Sequence, residues 1–111
     1  MNPYDHMTVT HHFGGGVYTK QCVMSPGITY QQHMHNFDHL SILSSGAALV
    51  EVDGVITEHY GPTVLTIKAN KYHSITPITE IVWYCIHATE ETDPEHIDET
   101  LINVEATTTN T

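Results

Sequence analysis

Histidine supplies ten of the 111 residues, and four of the ten stand at intervals that could gather imidazoles on one point. In the segment Tyr30-Gln-Gln-His33-Met-His35, two histidines flank a single methionine. Side chains alternate faces along a strand, so His33 and His35 project from the same side and can bind one cation together. A turn through Asn36 to Asp38 would bring His39, on the following antiparallel strand, against that pair. His73 comes much later, in Asn70-Lys71-Tyr72-His73, after a turn that returns the chain to the same sheet face. Four converging imidazoles form an all-nitrogen site suited to one first-row divalent metal per chain, from among Mn, Fe, Cu, Ni and Zn.

Other chemistries find less in this sequence. There is no Ser-His-Asp arrangement, no phosphate-cradling glycine loop and no paired carboxylates with a defined role. Gly14-Gly15-Gly16 lacks the following helix and the lysine that a phosphate loop needs, so it reads as a flexible joint. His6, His11, His12, His59 and His96 fall on arms, hairpin ends or the terminal segment and read as solvated. The basic side chains are Lys20, Lys68 and Lys71, with no arginine, against 13 acidic residues and a net charge of −10. Nucleic acid is therefore excluded as a partner, because phosphate binding draws on clustered positive charge. Without arginine there is also no bidentate clamp for a carboxylate or phosphate. No apolar run approaches the roughly 20 residues of a membrane-spanning helix. The start, MNPYDHM, has neither the basic nor the apolar region of a secretion signal, so a soluble cytoplasmic protein is expected. Cys22 and Cys85 then read as free thiols in a reducing compartment.

The elements that must position the histidines read as strands. From Val17 to His87 short segments rich in valine, isoleucine, threonine and aromatics are separated by glycine, proline or asparagine. Asp53-Gly54 suits a two-residue type I′ hairpin turn between strands at 47–52 and 55–60. Further strands are expected at 17–24, 28–35, 39–43, 63–67 and 81–87, with a turn at Asn70. About seven short strands point to a sandwich, jelly roll or small barrel. Asp93-Pro94, with Ile97 and Leu101 four apart, suggests a short C-terminal helix over about 94–104. The expected organisation is an N-terminal arm over 1–16, a barrel over 17–90 and a C-terminal segment over 91–111 with a frayed tail.

Residues Gly27 to Gly46 fit the pattern G-x5-H-x-H-x3-E-x6-G at every spacing, with His39 where glutamate is usual. This resembles the first motif of the cupin superfamily. The second motif, G-x5-7-P-x-G-x2-H-x3-N, is matched at Gly61 and His73, whereas Lys68, Asn70 and Pro77 replace its proline, second glycine and asparagine. The resemblance covers roughly residues 17 to 87. It implies an all-β fold, a small antiparallel jelly-roll barrel with a metal inside its mouth. It matches His33, His35 and His73 to the ligand histidines and puts His39 at the position of the carboxylate ligand. Replacing a carboxylate by a neutral imidazole leaves the metal its full charge, which favours an anionic or hydroxide ligand.

The last strand puts Trp83, Cys85 and His87 on one face and Val82, Tyr84 and Ile86 on the other. Both faces are apolar enough to be buried, so periodicity leaves the direction open. The cupin resemblance favours Trp83, Cys85 and His87 as pocket lining, with Tyr84 inward as the alternative. Gln31, in phase with His33, is a further pocket candidate, and Lys20 could reach the pocket rim. The leading functional expectation is a metal-dependent oxidoreductase of oxygenase type acting on a small apolar or aromatic molecule. A non-catalytic metal or ligand module, and a non-redox lyase or isomerase, stand as alternatives. In the last, Tyr30, Tyr72 and Tyr84 are the proton-transfer candidates. A homodimer formed through the sheets is expected, since the edge strands carry few lysines to discourage pairing.

Overall fold

The computed structural model describes residues 7–32 and 38–88, with only the backbone of Gln32. Nine strands make up its regular structure: β1 (Met7–Gly14), β2 (Val17–Met24), β3 (Tyr30–Gln32), β4 (His39–Ser45), β5 (Ala47–Val52), β6 (Val55–Tyr60), β7 (Thr63–Ile67), β8 (His73–Pro77) and β9 (Ile81–Ala88). They form two antiparallel sheets, ordered β1-β2-β9-β4-β7 and β3-β8-β5-β6. This is the expected all-β jelly-roll arrangement. Among the described residues no helix is long and apolar enough to cross a membrane.

Turn chemistry sets most strand boundaries. Asp53 and Gly54 both have positive φ, 47° and 86°, as a type I′ hairpin between β5 and β6 requires. Asn70 has φ 57° and so supplies the left-handed conformation expected of it in place of glycine. Two of the motif glycines meet: Gly61 N–H donates to the Gly46 carbonyl at 2.9 Å. A Cβ on Gly46 would collide with the Glu80 carbonyl oxygen, and one on Gly61 would lie 2.8 Å from the Ser45 nitrogen. Glycine stands at both places because backbone passes where a side chain would go.

Two elements differ from the sequence reading. Residues 7–14 form an edge strand, β1, paired with β2 from Met7↔Met24 to Gly14↔Val17, so they belong to the sheet and not to a detached arm. Gly15 and Gly16, with φ 61° and 75°, make the tight turn between them and are no hinge. The segment around His73 is the short strand β8, which pairs with both β3 and β5. The expected strand over 28–35 is seen only as β3, because 33–37 lie outside the described residues. So do the suggested helix over 94–104 and the tail.

The registers stack inward side chains of the five-stranded sheet into rows. Phe13 lies opposite Tyr18, and Tyr18 opposite His87. His39, next to the Leu40↔Ile86 pair, continues that row. The next row runs His11, Lys20, Cys85, Ser41 and Leu65, and the one after it Val9, Cys22, Trp83 and Leu43. Met24 and Ile81 follow. The interior is thus polar at one end and apolar at the other. Its packed core joins Met24, Leu43, Ile81 and Trp83 to Tyr30, Ala48, Val50 and Ile75 of the facing sheet.

Candidate metal centre

Three histidines are buried at the polar end: His39 at the start of β4, His73 at the start of β8 and His87 near the end of β9, each 6% exposed or less. The His39 and His87 rings lie 4.3 Å apart, tilted by 44°. His39 Nδ1 donates to the Leu40 carbonyl at 3.2 Å, which leaves the proton on Nδ1 and the lone pair on the buried Nε2. His73 is hydrogen-bonded to the backbone of Lys71, and its Nε2 is buried without a hydrogen-bond partner. A ring nitrogen fixed on a backbone carbonyl, with the other facing inward, is the usual preparation of a histidine ligand.

Charge is disfavoured on all three. Burial lowers the pKa of His39 and of His73, and in His39 the neighbouring His73 adds to the effect. Burial also drives His87 down to about 3, helped by His39 and Lys20 beside it. Neutral imidazole is the ligating form, so the donor chemistry fits a first-row dication.

Two exposed aspartates organise the loop that leads into His73. Asp38 accepts the Ala69 N–H at 2.8 Å and faces Lys68 Nζ at 3.5 Å. The hydrogen bond from Ala69, then Lys68, hold its carboxyl below the usual range. Asp53 accepts the Tyr72 N–H at 3.2 Å, pairs with Lys71 at 3.2 Å, and donates its own N–H to the Tyr72 carbonyl at 3.2 Å. The loop over 68–72 is thereby tied to the residue before His39 and to the β5–β6 turn. Lys68 thus has a role at the motif position where proline is usual.

Of the four expected ligands, the structure places His39 and His73 at the same end of the interior. His33 and His35 lie outside the described residues, and those described contain no cluster of three metal-binding side chains. Trp83, Cys85 and His87 all point inward and are buried, whereas Tyr84 is on the opposite face. Gln31 is a correction. It lies opposite Ser74, between the inward His73 and Ile75, so it is on the outer face and exposed. Its amide nitrogen donates to the His73 backbone carbonyl at 3.4 Å and does not enter the interior.

Sequence reasoning passed over Tyr18. Its phenol is buried, lies 2.7 Å from His11 Nδ1, and its ring stacks 6.0 Å from His87. Its two-residue phase with Lys20 and Cys22 was the available signal. His11, read as merely solvated, is its partner. Among the tyrosines singled out for proton transfer, Tyr30 is buried, while Tyr72 is exposed and Tyr84 turns outward. Cys22 and Cys85 are free thiols, as expected, and Ser41 Oγ donates to Cys85 Sγ at 3.6 Å.

The sequence matches no family model and no curated protein. Solved structures do resemble the chain in fold. A cupin superfamily protein from Desulfitobacterium hafniense aligns with a TM-score of 0.65 and 16% identity, over 76% of this chain and 78% of that one. The Cupin_2 domain of an XRE family transcriptional regulator from Enterobacter cloacae gives 0.64 and 15%, over 73% and 94%. KdgF from a Halomonas species gives 0.66 and 10%, over 78% and 83%. At such identities the likeness is one of fold.

Proposed function

We propose, from the cupin fold and the buried histidines, that this chain is a metal-dependent cupin whose ion is held by His33, His35, His39 and His73. The observation that carries the reading is the buried Nε2 of His73, which has no hydrogen-bond partner in a ring already fixed through its other nitrogen. Leaving such an atom unsatisfied costs about 1–3 kcal/mol, and a metal ion removes that cost. The motif spacing alone supports His33 and His35, since Gln31, in phase with His33, faces outward and strand alternation therefore lends them nothing.

The function favoured is an oxygenase-type oxidation of a small apolar or aromatic molecule. A bound redox-active dication would supply Lewis acidity and electron transfer. The chain's own contribution is positional. Leu40 and Lys71 orient the two rings through their backbone, and His87 packs against His39. Trp83 and Leu43 close the interior beneath the site and exclude water from it. Tyr18 and His11 form the one phenol–imidazole hydrogen bond at this end among the described residues, a place where a proton can be exchanged with solvent.

A second reading, a binding module braced by its metal, is supported by the lack of any inward carboxylate among the described residues that could act as a general base. The two readings part in one experiment. Protein expressed with Mn, Fe, Cu or Zn is analysed for metal and for oxygen consumption with small aromatic substrates. The oxygenase reading expects one redox-active ion per chain and oxygen uptake that disappears in His73→Ala. Tightly held zinc without turnover, with a melting temperature that falls on chelation, would favour the module.

A further inference from the structure

A continuous line of rings crosses the polar end of the five-stranded sheet, and a base stands beside it. Between ring centroids, Phe13 lies 5.0 Å from Tyr18, Tyr18 lies 6.0 Å from His87, and His87 lies 4.3 Å from His39. Tyr18 is stacked on both of its neighbours in this line, at interplanar angles of 29° and 17°. Its ring is buried, yet its phenol oxygen is 2.7 Å from Nδ1 of His11, an exposed residue of the edge strand β1. His11 also stacks on the Tyr18 ring, 5.7 Å away. A buried phenol thus meets an imidazole that is itself open to solvent. Tyr30, which is buried too, is hydrogen-bonded to the backbone of Ser25, and a backbone amide is no base. An electron leaves a phenol with difficulty while the proton stays, because the radical cation is a strong acid. It leaves readily when a positioned base takes the proton in the same event.

We infer that Tyr18 is a one-electron donor whose proton passes to His11. The O–H bond of Tyr18 breaks, the proton forms an N–H bond at His11 Nδ1, and the electron goes to a one-electron oxidant. A neutral phenoxyl remains on Tyr18 and an imidazolium on His11, which must start as its Nε2–H tautomer to accept the proton. Each product sits where it is stable. The imidazolium is at the exposed ring, where water solvates its charge, and the phenoxyl is buried away from other phenols with which it could couple. The oxidant is an outer-sphere metal complex or, under the proposed function, the higher oxidation state of an ion at His39, to which His87 bridges the line of rings. The inference deepens the proposed function by naming a source of electrons. It rests on that reading for the natural oxidant, and not for the Tyr18–His11 pair.

The test is flash photolysis of the full chain, metal-free and zinc-loaded, with a photogenerated ruthenium(III) polypyridyl oxidant. Phenoxyl absorbance and the EPR spectrum of frozen samples are the readouts. Phenoxyls on the exposed Tyr60 and Tyr72 couple with one another and decay faster at higher protein concentration. Tyr18 is expected to add a persistent fraction whose decay is independent of concentration. Tyr18→Phe, which keeps the stacked ring, should remove that fraction, and Tyr30→Phe should leave it. His11→Ala should slow its formation at least about tenfold, and added imidazole should restore the rate, because the position is open to solvent. A parent protein without the persistent fraction, a fraction that survives in Tyr18→Phe, or one formed as fast in His11→Ala without imidazole would overturn the inference. The parent measurement does not depend on any variant folding. Zinc is inert to the oxidant, so a failure belongs to the Tyr18–His11 pair, whereas failure to retain zinc with the phenoxyl intact would count against the metal reading alone.

Discussion

A histidine ligand is made by what holds its other nitrogen. His39 and His73 each give one ring nitrogen to a backbone carbonyl, so under the proposed metal reading neither ring would have to reorient to take an ion. Under that reading His73→Ala should abolish stoichiometric metal uptake, and His39→Ala should weaken it by at least about tenfold, no less than the loss of a group that merely orients a ligand. Elemental analysis after dialysis measures both. The thiols behave in the opposite way, as groups that burial keeps protonated. Cys22 is pushed up from 9.0 to about 12 by burial, with Cys85 adding to the effect, and burial raises Cys85 too. Both should resist alkylation at pH 8 in the folded protein and react once it is denatured. Because the folded chain keeps protons that the unfolded chain releases, the Cys22 contribution to stability is complete below pH 9. It is lost as pH rises towards 12. Melting temperature measured across that window should fall less steeply in Cys22→Ala than in the parent.

Strands carry these residues, and the strands were legible where local chemistry decides them. Asp53-Gly54 fixed the β5–β6 hairpin, and the alternation of β9 was visible in its residues, although its direction was not. Direction depends on which face the neighbouring strands leave to the interior, and that information lies in Cys22↔Trp83 and Lys20↔Cys85, pairings distant in sequence. Gln31 was misread for the same reason: its phase relative to the barrel is set by its pairing with Ser74. The strand β1 was missed because its pattern, MTVTHHFG, is nearly all exposed or half-buried, as befits a sheet edge. Asp38 was read as turn filler, yet it ties the His39 strand to the loop before His73. Asp38→Ala should lower both the melting temperature and metal affinity, while Asp38→Asn, which can still accept the Ala69 N–H, should lose less. At Gly46, where φ is 90° and backbone occupies the place of a Cβ, alanine should cost about 1–3 kcal/mol from conformation alone, before the collision is added. Chemical denaturation is the measurement.

On the scale of the whole molecule, the outer face of the five-stranded sheet bears Leu40 and Val64, 47% and 62% exposed, beside the half-buried Ile42, Tyr84 and Ile86. An apolar sheet face of this kind suits a second copy of the chain, which is the dimer we propose. Sedimentation at micromolar concentration should give about twice 12.4 kDa, and Val64→Lys should return the mass towards that of one chain. A mass of one chain for the parent would remove the proposal.

The division of the interior into rows has a bearing on how such a protein changes over time. Its folding energy resides in Met24, Leu43, Ile75, Ile81 and Trp83 at one extremity, while reactive groups sit at the other on the same strands. Substitutions at the half-buried Lys20 can therefore be sampled without first dismantling the scaffold. A lineage built this way is free to exchange one ligand for another by altering a handful of positions near an opening whose foundations stay intact.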